Sequence, residues 1–101
     1  MFLIITTYPT ATPKKVKQFI FELIWSKLAK CVNKIPYIKS TFFWEGKIQS
    51  SKEVILIIKA KKENKDGLIK FIKSKHPYEV PEIIVLSPED VENKYLEWIR
   101  S

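Results

Sequence analysis

The chain's one histidine, His76, stands in the segment Lys75-His76-Pro77-Tyr78-Glu79-Val80-Pro81. A second unusual segment, Phe42-Phe43-Trp44-Glu45-Gly46-Lys47, precedes it. Both place charged groups beside large rings, which costs free energy to bury unless the charges are paired. Each therefore marks either a site or an interface. Imidazole is the commonest metal ligand, and a nearby carboxylate suits a divalent transition ion such as Cu²⁺ or Zn²⁺. His76 and Glu79 are accordingly candidate metal ligands; with one histidine and one cysteine a single chain makes a weak site, which three symmetry-related copies would strengthen. The competing reading is that His76 caps the last carbonyls of the preceding helix. The other segment divides in the same way. Trp44, Glu45 and Lys47 could line a pocket, with Gly46 allowing another backbone to approach. Alternatively, Gly46 is a bulge and the Glu45–Lys47 pair fixes the register of subunits.

Catalysis is not expected. Cys31 and His76 would have to meet in space to form a nucleophile–base pair. However, Cys31 lies just after a helix beside Ala29 and Val32, where a lone cysteine is usually buried and inert. With only Gly46 and Gly67 as glycines, no glycine-rich phosphate loop can be built. No aligned pair of acids is evident.

Composition sets the wider bounds. The 101 residues are 46% hydrophobic and 13% aromatic, which predicts one domain with its own core. So many rings in so small a chain predict subunit contacts, where aromatics are enriched. A single cysteine excludes an internal disulfide or a multi-cysteine zinc site. The run Phe2-Leu3-Ile4-Ile5 is too short for a secretory signal and has no basic region before it. No stretch approaches the ~18–20 apolar residues that span a bilayer. A cytoplasmic protein without a membrane partner is expected.

The net charge is +7. From Glu89 onward, Glu89, Asp90, Glu92 and Glu97 face only Lys94 and Arg100, a net of −2, so residues 1–88 carry +9. Arg100 is the only arginine, and bidentate recognition of phosphate or guanine relies on arginine. The chain also lacks the Gly-aromatic pattern of an RNA-binding sheet. The lysines read as a solubilising surface, and no nucleic-acid partner is expected.

The elements that must position these residues follow from patterning. Residues 2–8 form a first strand, apolar on both faces and hence central. Thr12-Pro13 starts a helix with Thr12 as N-cap and proline at the first position. Val16, Phe19, Ile20, Leu23, Ile24 and Leu28 make its apolar face, with Phe21 and Trp25 displaced to the other side. Residues 31–40 are mixed, and Pro36 places them at an edge or a bulge. Residues 40–49 and Glu53 to Ala60 read as a hairpin turning at Gln49-Ser50-Ser51-Lys52. Asn64 caps a second helix that ends at His76-Pro77. Residues 82–86 give a fourth strand, and Ser87-Pro88-Glu89-Asp90 a helix start. The face of that last helix carries Val91, Tyr95, Trp98 and Ile99. The order β-α-β-β-α-β plus a terminal helix is an α+β, ferredoxin-like arrangement, an antiparallel sheet with two helices on one face. The other face needs cover, which again predicts subunit packing.

The two unusual segments also carry a resemblance, together with Lys30-Cys31, Tyr8-Pro9, Glu53-Val54, Lys59 and Tyr95-Leu96-Glu97-Trp98-Ile99. In this order, along essentially the whole chain, they resemble the CutA family of divalent-cation tolerance proteins. The resemblance implies a ferredoxin-like homotrimer, similarity to the trimeric PII regulators, and a role in tolerance of metals such as copper. It also implies inter-subunit clefts lined by Tyr8, Trp44, Glu45, Lys59, His76, Tyr78 and Glu79. The subunit contacts would use Phe42, Phe43, Trp44, Gly46 and Trp98. In the bacterial family the resemblance implies copper ligands at a first-strand cysteine and a histidine pair before Pro-Tyr. The matching positions here are Thr6 and Lys75-His76, and the Lys75 charge opposes a cation.

Overall fold

The computed structural model describes all residues, 1–101. Its elements run β1 (Phe2–Pro9), α1 (Pro13–Trp25), β2 (Cys31–Trp44), β3 (Lys47–Ala60), α2 (Lys65–Lys75), β4 (Ile84–Leu86) and α3 (Asn93–Arg100), with a single 3₁₀ turn at Lys62–Asn64 before α2. The sheet order is β2-β3-β1-β4, with every pairing antiparallel. This is the expected ferredoxin-like order, with β1 central.

Alternation along the two central strands builds the core. Phe2, Ile4, Thr6 and Tyr8 on β1, and Val54, Leu56, Ile58 and Ala60 on β3, are buried on one face. Val16, Phe19 and Leu23 of α1 and Leu68 and Ile72 of α2 pack into the same cluster. Both helices therefore cover one side of the sheet. Each fully buried aliphatic side chain contributes roughly 1.5–3 kcal/mol. On α1, the Phe21 and Trp25 rings stack at 5.9 Å on the solvent side, and both stay exposed.

The hairpin departs most from expectation. It turns at Glu45-Gly46, not at residues 49–52, and Trp44 pairs directly with Lys47. Glu45 (φ 52) and Gly46 (φ 75) both have positive φ, the signature of a two-residue type I′ turn, whose twist matches the strands it joins. Gly46 is thus a turn residue and not a bulge. Residues 49–52 are polar enough to look like a turn but are held extended by pairing with Lys39–Phe42. The bulge lies at Pro36-Tyr37, where the register slips between Ile35 and Ile38, because proline cannot donate to the ladder.

Two helix starts also differ. The Thr12 side chain makes no capping hydrogen bond, and its carbonyl instead accepts from the N–H groups of Lys15 and Val16. Asn64 caps nothing with its side chain, whose amide donates to the carbonyls of Lys27 and Leu28 and ties the α1–β2 loop to α2. Ser87-Pro88 does not open α3. That helix begins at Asn93, with the Glu92 carboxylate accepting the Tyr95 N–H at 3.0 Å. That carboxylate satisfies a first-turn N–H, and its negative charge also meets the positive end of the helix dipole. Ile99 is buried, while Trp98 and Tyr95 lie under the ammonium groups of Lys30 (5.3 Å) and Lys59 (5.6 Å).

A left-handed conformation costs a residue bearing a Cβ about 1–2 kcal/mol. No atom lies within 4 Å of a Cβ placed on Gly46, so Gly46→Ala should lose about 1 kcal/mol in urea unfolding, through the backbone alone. Glu45→Asn should be neutral or stabilising by a few tenths of a kcal/mol, since Asn tolerates that conformation.

Candidate functional site

The centre of the site is a backbone group left over by the sheet. β4 is only three residues long and pairs with Leu3–Ile5 of β1. The Thr7 carbonyl, two residues beyond that ladder, has no strand partner on this edge. An unpaired buried carbonyl costs about 1–3 kcal/mol, and His76 removes the cost. α2 ends at Lys75, and His76 leaves helical geometry (φ −72, ψ 139) as expected before proline. Its backbone N–H closes the helix on the Ile72 carbonyl, and its ring turns toward β1. Nε2 lies 2.6 Å from the Thr7 carbonyl oxygen, and Nδ1 accepts the Tyr78 N–H at 3.0 Å. Accepting at Nδ1 places the proton on Nε2, which donates to Thr7.

Tyr78 continues the network. Its hydroxyl donates to Oε2 of Glu53 at 2.8 Å and lies 3.3 Å from the Ser51 hydroxyl, which is then the donor in that contact. Glu53 is only 4% exposed, with its carboxylate held at the start of an apolar strand run. The His76 ring packs at 5.3 Å from Tyr8, 5.0 Å from Tyr78 and 6.3 Å from Phe19. Burial, and then the Glu22 charge, push the Tyr8 hydroxyl above its usual range. Burial also raises Tyr78; Ser51 opposes this by donating to the phenol oxygen, and the hydrogen bond and charge of Glu53 push it higher.

Tyr8, His76 and Tyr78 are therefore brought together within one chain. Trp44 and Glu45 are not: they sit at the tip of the hairpin, seven strand positions beyond the Tyr8–Val54 pair, a distance of about 23 Å. Lys59 lies five positions the other way, paired with Leu3 and Cys31, about 17 Å along the strand. Glu79 is exposed just past Tyr78. Thr6 is fully buried on the helix-covered face. Sequence reasoning missed Glu53 and Ser51 as members of the site. The available signal was an acid directly preceding the run Val54-Ile55-Leu56-Ile57-Ile58, where an unpaired charge would be costly.

As a metal centre, one chain is not sufficient. No cluster of three or more His, Cys, Asp or Glu is arranged to hold an ion. The only lone pair of the His76 ring, on Nδ1, already accepts the Tyr78 N–H. His76 does not cap α2 with its side chain either. It acts as a strut between the end of α2 and the edge of β1.

Two outcomes follow. Replacing His76 by Ala strands the Thr7 carbonyl and opens a gap among three rings, so urea unfolding should show a loss of about 2–4 kcal/mol. The Tyr78 hydroxyl is raised above its unfolded value of about 10, so its contribution is complete below that pH and is lost as pH rises through the higher folded value. Stability should therefore fall above about pH 10, and Tyr78→Phe should flatten that fall.

Residues 2–101 match the family profile described as CutA1 divalent ion tolerance protein. The rice protein named Protein CutA 1, chloroplastic, from Oryza sativa subsp. japonica, is 41% identical over 98 residues, 96% of this chain and 55% of its own length. The chain thus spans about half the length of such curated relatives. The crystal structure of CutA1 from Oryza sativa superposes with a TM-score of 0.91 at 38% identity, covering 98% of this chain and 89% of that one. CutA1 from Pyrococcus horikoshii gives 0.90 at 32% identity, covering 99% and 95%. With the whole chain matched in sequence and the sheet order and hairpin in place, this protein belongs to the CutA1 divalent ion tolerance family.

Proposed function

We propose that the chain works as a cytoplasmic homotrimer of PII-like organisation in the response to divalent cations, a binding protein and not an enzyme. In this reading its inter-subunit clefts hold a cation or a small charged ligand. The observation that carries the proposal is the far half of the hairpin. Lys39–Trp44 pair only with Lys47–Lys52, beyond the end of β1, yet this two-stranded arm exposes Phe42, Phe43 (72%), Trp44 and Ile48 (77%). Phe43 and its partner Ile48 share one face of the arm, and Phe42 and Trp44 the other; exposed apolar surface of this kind marks an interface, and aromatic residues are the usual anchors of one. Trp98 on α3 adds a further exposed ring. Seating the arm on a neighbour would carry Trp44 and Glu45 of one subunit toward elements of the next. That supports a cleft built from residues that lie far apart in a single chain. No helix is long and apolar enough to cross a membrane.

A cation in such a cleft needs ligands from more than one subunit, because one chain offers no sufficient cluster. Glu79 and Glu45 are exposed carboxylates suited to this, whereas His76 must first give up the Tyr78 N–H. Lys75 next to His76 further opposes a cation there.

Light scattering at micromolar concentration should give about 36 kDa, three times the chain mass of 11.9 kDa. A double Phe43→Ser, Trp44→Ser variant should shift the mass toward that of the monomer. A monomeric wild-type protein would remove the trimer and its clefts together. Titration calorimetry with Cu²⁺ and Zn²⁺ should show affinity reduced about tenfold or more by Glu79→Ala and less by His76→Ala. Equal binding by the wild type and Glu79→Ala would take Glu79 out of the site.

A further inference from the structure

The bulge in β2 opens a second concavity on the helix-covered side of the sheet. It is a cavity of about 550 Å³ between the start of α1 and the β2–β3 ladder, lined by eleven residues of this one chain. Its floor is apolar and fixed, formed by the buried side chains of Val16 and Val54. Its rim carries Lys34, Lys39 and Lys52. Lys39 pairs with Lys52 across the ladder, and Lys34 pairs with Leu56, four positions along β3 on the other side of the bulge, and all three line the one cavity. Lys34, Lys39 and Lys52 all remain exposed. Glu53, the one acid in the lining, is buried with Oε2 taken by the Tyr78 hydroxyl.

The bulge itself is held under strain. Tyr37 has φ 61 and is 97% exposed. A bulky residue in the left-handed region costs on the order of 1–3 kcal/mol, and such strain clusters at functional sites. Without the one extra residue of the bulge, the ladder would run regularly past this point. With it, Tyr37 stands at the rim of the cavity beside the lysines.

We propose that this cavity is a binding site for a small organic anion, a carboxylate or phosphate attached to a short apolar body. Apolar walls with a few convergent polar groups are the usual make-up of a small-molecule site. Three ammonium groups at one rim supply point-charge recognition of an anion without demanding bidentate geometry. The apolar body would rest on Val16 and Val54, and the anionic head would meet Lys34, Lys39 and Lys52. The site shares Lys39 and Lys52 with the base of the arm proposed above to seat on a neighbour, but its floor and all eleven lining residues come from one chain.

The test uses phenyl phosphate, benzoate and neutral benzamide against the ¹⁵N-labelled whole protein, followed by amide NMR shifts. Phenyl phosphate and benzoate should move the amides of residues 34–39, 52–54 and 13–16 in a saturable manner. Benzamide at equal concentration should not. Lys39→Gln and Lys52→Gln, both exposed positions, should each weaken phenyl phosphate about three- to tenfold, and the double variant more. Raising salt from 50 to 500 mM should weaken it further by screening. Stronger binding of phenyl phosphate than of benzoate would assign the head group as phosphate, and the reverse as carboxylate. The proposal is overturned if millimolar anion leaves these amides unmoved, if shifts appear only at the hairpin tip, or if the double variant binds as tightly as the wild type. Trimer mass by light scattering is read in parallel, so failure here is distinct from failure of the trimer.

Discussion

Unequal strand lengths govern this molecule. β2 and β3 have 14 residues each, β1 has 8 and β4 has 3. A sheet made from such strands cannot satisfy itself along all its edges. At one end six β2–β3 pairs run past β1 and form an arm with no third strand to pack on. Two-stranded ribbons are marginal in water on their own, and this one exposes its aromatics. At the other edge β4 stops early and leaves the Thr7 carbonyl without a ladder partner. The first mismatch creates a surface that needs a neighbour, and the second creates a buried position that needs a side chain.

His76 answers the second mismatch. Proline after it forces the chain out of the helix, which aims the ring at β1 in place of solvent. One neutral imidazole then donates at one nitrogen and accepts at the other, joining α2, β1 and the Tyr78 segment. From Tyr78 the network passes to Glu53 on β3. The buried carboxylate is tolerated because it takes a phenolic hydrogen bond where it would otherwise be unpaired. A histidine placed this way contributes to stability first, and its use as a ligand competes with that role.

Much of the fold was legible in the sequence because it depends on local patterning. The β-branched and apolar runs in Phe2–Tyr8 and Val54–Ile58, helical spacing in Val16–Leu23, and the His76-Pro77 stop each follow from steric rules acting over a few residues. The hairpin turn was misread because Gln49-Ser50-Ser51-Lys52 has turn-like composition, while Glu45-Gly46 holds only one glycine to signal positive φ. α3 starts later than its sequence suggests, at Asn93, where the Glu92 carboxylate accepts the Tyr95 N–H.

The sequence by itself determined the element order, the central position of β1, an edge or bulge at Pro36 and the presence of two chemically unusual segments. These are consequences of proline geometry, side-chain periodicity and the cost of burying charge. Only the tertiary structure decided which residues meet. Tyr8, Glu53 and the His76–Tyr78 segment lie tens of residues apart in the chain and converge because the antiparallel register brings the start of Glu53–Ala60 beside the end of β1. The same register carries Trp44 and Lys59 away in opposite directions. Register is a property of paired strands, and no single segment contains the information that sets it.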